Sequence, residues 1–282
     1  MSRQSKAFIN LIFVTLIWGS TFPIQKIAIQ GMSSFAFLAI RYWLAAILSI
    51  LIWKKQSFKY GFIIGIFTCI GQTTQTYGLQ FTDASKSGFI TSLYIIFVPL
   101  FSYLIEKEKL KKKQIIGLPI AIIGSYMLSG GIKGFNFGDF LTIISGISFA
   151  IQMVLMTKYS KKVSETSLLT WQFVAVAILN TIFSIGKNWN VSIFAMSASI
   201  YMVLIATIWT TLAQLKYQKV VSTNTTALIF IGEPVFSAVF SFIILKERFS
   251  FMQWIGALIM ISVLIMISVN WVKYKKTRSF SN

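Results

Sequence analysis

The sequence predicts an all-α integral membrane protein in which ten transmembrane helices form two inverted five-helix repeats. Three observations carry that prediction. Hydrophobic residues make up 56% of the chain and charged residues only 12%, with a mean hydropathy of +0.74, a composition suited to burial in a bilayer. The apolar runs are about twenty residues long, the length a helix rising about 1.5 Å per residue needs to cross the hydrocarbon core. The chain also repeats itself. Ser87 to Gly117 aligns without a gap on Thr226 to Gly256, and 10 of 31 positions are identical, among them Ile90/Ile229, Phe97/Phe236, Phe101/Phe240, Ser102/Ser241, Lys107/Lys246, Glu108/Glu247, Gln114/Gln253 and Gly117/Gly256. Gly19–Gln25 parallels Gly146–Gln152 in the same way, agreeing at four of seven residues.

Taken in order, the apolar runs place spans at 7–29, 34–53, 60–80, 84–105, 114–131, 138–158, 166–186, 197–216, 223–245 and 251–272. The first follows Arg3 and Lys6, as a signal peptide would. It nevertheless contains Trp18, Pro23 and Gln25, lacks a small-x-small cleavage site, and runs straight into another span, so it reads as retained. The second carries Arg41. The third carries Thr68, Gln72, Gln75 and Thr76 on one helical face, and the fourth carries Ser87, Thr91 and Tyr94. In the fifth, Gly117, Ala121 and Ser125 form a small-residue stripe suited to close helix packing. The sixth presents Ser145, Ser148 and Gln152, and the eighth Thr207, Thr210, Thr211 and Gln214. In the ninth, Thr226, Phe230 and Glu233 occupy the positions that Ser87, Thr91 and Tyr94 hold in the fourth. The fifth and tenth carry few polar groups and belong at the periphery, as a buttress or as the surface of a homodimer. The repeats divide the chain into 1–131 and 132–282, the second ending in a short basic tail after the Trp271 anchor.

Charge sets the orientation. With the N-terminus cytoplasmic, 19 of the 26 basic residues fall in inside segments, among them Lys54, Lys55, Lys111, Lys158, Lys219, Lys275, Lys276 and Arg278. Outside segments hold six, including Lys133. That bias fits the positive-inside rule with both termini cytoplasmic in a multi-pass cytoplasmic membrane protein. Five spans per repeat is an odd number, so the second copy is inverted. Inverted repeats mark secondary transporters, with a substrate site near the midplane between the halves.

The formal charge of +19 is explained by these short loops rather than by nucleic acid. The absence of histidine removes Ser–His nucleophile pairs and His-ligated metal sites. Asp83 and Asp139 fall at predicted helix ends, which argues against an aspartyl dyad. No enzyme activity, metal or cofactor is expected, and the single cysteine, Cys69, allows no internal disulfide.

Polar side chains in lipid are costly unless they face a partner or a water-filled path. Trp18, Thr21, Gln25, Arg41, Gln72, Gln75, Tyr94, Gln152, Thr211, Gln214 and Glu233 are therefore expected to line one cavity for a small-molecule substrate. The competing reading makes them bonds between neighbouring helices. Arg41 and Glu233 are the charges placed well inside the membrane. Either Arg41 holds a carboxylate or phosphate while Glu233 holds an amine or a proton, or the two pair permanently, or Arg41 reaches out to a helix end. Pro23, Pro99 and Pro234 fall within spans and are candidate gating positions.

Trp18-Gly19-Ser20, Arg41 before an Ala/Leu-rich run, Tyr77-Gly78-Leu79, Glu233-Pro234 and the Lys246-Glu247-Arg248 turn leading to Gln253 and Gly256 together resemble the EamA-type family of the drug/metabolite transporter superfamily. The resemblance covers nearly the whole chain. It implies a ten-helix bundle with a central cavity and peripheral fifth and tenth helices, moving amino acids, nucleotide-related metabolites or drugs. The expected function is a permease that moves amino-acid-like solutes outward by alternating access. The alternatives are uptake of a nucleotide-related metabolite, drug export, and a non-transporting membrane subunit. One departure stands out: Ile95 lies where the family's first repeat usually has a proline, with Pro99 one turn later, so a kink in the fourth helix is expected to be displaced.

Overall fold

A computed structural model describes residues 2–53, 58–130 and 134–273, with side chains to Ile267. Lys54, Lys55, Lys133 and the basic tail after Lys273 lie outside these residues, and of Trp271 and Lys273 only the backbone is described. The chain folds into helices α1 (Arg3–Ala28), α2 (Ser34–Ile52), α3 (Phe58–Gly78), α4 (Ala84–Glu106), α5 (Lys112–Leu128), α6 (Phe137–Tyr159), α7 (Glu165–Phe183), α8 (Ile193–Val221), α9 (Thr223–Ile244) and α10 (Phe251–Lys273). Each predicted span has its helix. Among the described residues seven helices are long and apolar enough by length and composition to cross a membrane, and the described side chains of α10, Phe251–Ile267, form a further apolar stretch.

Local sequence explains where the helices begin. Backbone N–H groups of a first turn have no intrahelical acceptor, and a Ser or Asn side chain just upstream supplies one. Ser2 accepts from Ser5 N (3.0 Å), Ser192 from Ala195 N (3.0 Å), and Ser222 from Thr225 N (3.4 Å). Asn136 and Asp139 form a reciprocal capping box at α6, with bonds of 2.9 and 3.0 Å. The aspartates expected at helix ends are there: Asp83 is the residue before α4 and Asp139 sits in the first turn of α6.

Packing follows the repeat. α1 lies on α8 and α9 just as α6 lies on α3 and α4, while α2 packs on α7, α4 on α9, and α5 on α10. The matched glycines set the two equivalent crossings. A Cβ on Gly19 would fall 2.9 Å from Ser237 N in α9, and one on Gly146 would fall 3.0 Å from Thr91 O in α4. α5 and α10 stand beside the rest as one pair. Gly117 meets Val263 and Met266, and Ser125 donates to Met260 Sδ at 3.7 Å, so the small-residue stripe is covered within the chain.

α4 and α9 are both interrupted at mid-length, at Leu93 and Ile231. The expected displacement of the α4 kink is therefore corrected: its break is level with that of α9, although Pro99 lies further along. Around Leu93 the bonding tightens to the i→i+3 pattern, Leu93 N to Ile90 O (3.1 Å) and Ile96 N to Leu93 O (2.9 Å). Gly146 brings α6 hard against this point. Packing rather than proline sets the break in α4, whereas in α9 Pro234 falls in the first turn after the break, where no N–H is needed.

Candidate functional site

A cavity of about 60 Å³ lies between the two halves, room for a few water-sized molecules in this conformation. Eight helices reach it: α1 with Trp18, Thr21 and Gln25; α2 with Arg41; α3 with Thr68, Gln72 and Gln75; α4 with Tyr94; α6 with Gln152; α7 with Gln172; α8 with Thr207, Thr211 and Gln214; and α9 with Phe230 and Glu233. All eleven residues singled out from the sequence are on this lining, so the structure brings together side chains as far as 215 positions apart, from Trp18 to Glu233.

Arg41 is 3% exposed. Its Nε donates to Thr207 Oγ1 (2.7 Å), Nη1 to Gln25 Oε1 (3.4 Å) and Nη2 to Ala206 O (3.5 Å), all neutral acceptors. Ala206 lies in Met202–Trp209 of α8, a π-helical stretch in which the backbone bonds are shifted by one residue. The same carbonyl takes the indole N–H of Trp18 at 3.1 Å, so α1 and α2 both anchor on this turn. Nothing in the apolar pattern of the eighth span announces a π turn. Gln25 in addition accepts from Thr76 Oγ1 at 3.1 Å, which fixes its amide with the oxygen toward Arg41.

Glu233 is 6% exposed and accepts one long hydrogen bond, 3.4 Å, from the Tyr94 hydroxyl. Tyr94 and Glu233 are repeat partners, so their side chains meet across the axis that relates the halves. Among the described residues neither Arg41 nor Glu233 has an oppositely charged group within ion-pair distance. The ion pairs are at the bundle's ends: Lys26–Asp83 and Lys86–Asp139 at one, Lys161–Glu106 and Lys219–Glu165 at the other. The permanent Arg41–Glu233 pair weighed from the sequence does not form, and Arg41 does not reach a helix end.

The remaining amides divide into bonded and free. Gln75 donates to Thr91 Oγ1 (3.0 Å), and Gln214 to Gln218 Oε1 (2.9 Å). Gln72 Oε1 is buried with no hydrogen-bond partner. The apolar part of the lining includes Phe149, Met153 and an edge-to-face pair of Trp18 and Phe230 with centroids 5.1 Å apart.

The sequence matches the EamA-like transporter family over residues 5–130 and again over 136–269. The chain belongs to that family, a branch of the drug/metabolite transporter superfamily. An uncharacterized transporter of Archaeoglobus fulgidus is 34% identical over 272 residues, covering 95% of this chain and 87% of that protein. The uncharacterized transporter YetK of Bacillus subtilis is 23% identical over 286 residues, covering 91% and 84%. One solved crystal structure superposes with a TM-score of 0.75 at 15% identity, covering 94% of this chain and 97% of that one, which establishes a shared fold.

Within this EamA-like bundle, sequence reading missed Gln172 of α7, along with Tyr42 and Met153. A signal for Gln172 was available. α2 and α7 are both 19 residues long and both begin after a serine cap, and Arg41 and Gln172 each lie seven residues after the first residue of their helix. The rings of the next residues in each, Tyr42 and Phe173, pack edge to face at 5.7 Å. Gln172 is the counterpart of Arg41 in the second half.

Proposed function

We infer that this membrane transporter carries small zwitterionic, amino-acid-like metabolites outward across the cytoplasmic membrane. Its two halves would rock about the central cavity, with both termini inside. The observation that carries this reading is that one cavity holds a buried guanidinium and a buried carboxylate, neither with an ionic partner among the described residues. An uncompensated charge in a membrane interior costs about 3 kcal/mol or more, so such groups mark substrate or ion paths. A solute bringing its own carboxylate to Arg41 and its own ammonium to Glu233 would neutralise both. Gln25, held by Thr76, orients the guanidinium, and the level breaks in α4 and α9 beside Tyr94 and Glu233 are where the helices can bend. Pro23, Pro99 and Pro234 lie on the three helices that would move.

Counterflow in proteoliposomes tests the reading. The expected result is exchange of labelled α-amino acids, competed by zwitterions and lost when competitors carry an N-acetyl group or a carboxamide in place of either charged end. Equal exchange of the singly charged analogues would overturn it. If Glu233 carries a proton while the substrate is absent, Glu233→Gln removes the dependence of transport on a pH gradient while the protein stays folded. Retention of that dependence would rule the proton role out.

A further inference from the structure

Once Arg41 and Glu233 are assigned to the two charged ends of a substrate, the cavity still holds polar groups that nothing occupies. Gln172 is 1% exposed and lines the cavity, yet its amide oxygen has no hydrogen-bond partner. Gln72 Oε1, on the same lining, is likewise buried without a partner. These two amides are on neighbouring helices at a very close crossing: a Cβ on Gly65 of α3 would lie 2.9 Å from Gln172 O of α7. Gln72 is two helical turns along α3 from Gly65, on the stretch that faces the cavity. Buried amides almost always have partners, because leaving one unpaired forfeits the hydrogen bonds it makes in water. Gln25, Gln75 and Gln214 on the same lining show the usual outcome and are bonded.

We propose that Gln172, with Gln72, forms a side-chain subsite that selects amino acids bearing a neutral hydrogen-bonding side chain, a carboxamide or hydroxyl, over apolar side chains of the same size. The proposal rests on the zwitterion reading of Arg41 and Glu233. A carboxamide or hydroxyl supplies the donor that these amide oxygens lack. An aliphatic side chain of equal length leaves these oxygens unpaired. Sites that hydrogen-bond a substrate reject analogues lacking the group far more strongly than apolar pockets reject an extra methylene. A second charged side chain is disfavoured, because no further counter-charge lines the cavity among the described residues.

The test is counterflow with two matched series, glutamine, asparagine and serine against norleucine, leucine and 2-aminobutyrate, on wild type, Gln172→Met and Gln72→Met, each checked for folding by thermal melting. The wild type is expected to favour the polar series by about tenfold or more, on the scale of one lost buried hydrogen bond. Gln172→Met is expected to erase or reverse that preference while exchange of norleucine continues, and Gln72→Met to reduce it. Should Gln172→Met not fold, Gln72→Met still reads the same preference. Equal exchange of both series by the wild type, or an undiminished preference in a folded variant, overturns the subsite and leaves the zwitterion reading standing. Exchange of neither series by the wild type overturns the zwitterion reading, and the subsite with it.

Discussion

Glu108 and Glu247 hold the same place in the two halves, and each reaches across to cap a helix of the other half. Glu247 accepts from Ala84 N (3.1 Å) and Ser85 N (3.4 Å) at the start of α4. Glu108 accepts from Asn224 N (3.3 Å) at the start of α9. The preceding residues, Lys107 and Lys246, both take the left-handed conformation (φ 56° and 58°) that turns the carboxylates inward. At the centre the halves part company. Tyr94 stands opposite Glu233, and Arg41 opposite Gln172, although the neutral frame around them, Gln25/Gln152 and Gln75/Gln214, stays matched. The helices of the two halves pack in equivalent ways. On the proposed zwitterion reading, the unequal charge at the centre would give a bound solute one orientation. The scaffold is symmetric and the chemistry is not.

The largest effect should come from breaking the scaffold where it is tightest. Gly117 and Gly256 are repeat partners on α5 and α10. A Cβ on Gly256 would meet backbone, 2.4 Å from Leu128 N and 2.6 Å from Gly124 O, whereas one on Gly117 would meet side-chain ends, 3.2 Å from Met266 Cε. Gly256→Ala is expected to destabilise by about 3 kcal/mol, since a helix must shift to admit the methyl group. Gly117→Ala should change stability by less than about 1 kcal/mol, because a movable methionine offsets little of the gain in helix propensity. Thermal melting in detergent separates the two, and equal melting temperatures would show that the α5–α10 contact is looser than these distances indicate.

Next comes the centre. Arg41→Gln gives both halves an amide at this position. Exchange should fall by about tenfold to a hundredfold, the scale of a lost charge-assisted hydrogen bond to a carboxylate, while the melting temperature changes little. Undiminished exchange would mean that Arg41 serves the π turn of α8 through Thr207 and Ala206 and not the solute.

Much of this was legible in the chain because hydropathy and phase are enforced by lipid. A glutamine such as Gln72 or Gln214 has nowhere to go but inward, so the helical face alone placed the cavity. Gln172 escaped notice because the positions three and four residues away on its helix, Leu168, Leu169, Ala175 and Val176, are all apolar, so no polar stripe marks its face. The π turn and the level break in α4 were not legible either. Both are set by contacts between distant helices, Trp18 and Arg41 on Ala206 in one case and Gly146 against Thr91 in the other. The ungapped repeat did point to Glu108 and Glu247, but only the folded chain reveals that each caps the opposite half.

The smallest expected effect sharpens the comparison of the two ends. Beyond the two backbone bonds, Glu247 also accepts from Ser85 Oγ, so all three of its contacts cross between the halves. Glu108 spends its second bond, 3.1 Å, on Ser102 Oγ of its own half. Across from it the Asn224 side chain, at the position matching Ser85, has no partner at either polar atom. Replacing a capping group typically costs about 0.5–2 kcal/mol, so Glu247→Gln should lie near the top of that range and Glu108→Gln near the bottom. The asymmetry also predicts which end yields first. The Glu108 crossing is the weaker one in this conformation, so loosening the stronger, with Glu247→Gln, should raise the labelling of a cysteine placed at Gln72 by reagent applied from the Glu247 end. Glu108→Gln should raise labelling from its own end and by less. If both substitutions changed labelling equally from both ends, the two crossings would be energetically equivalent despite their different bonds.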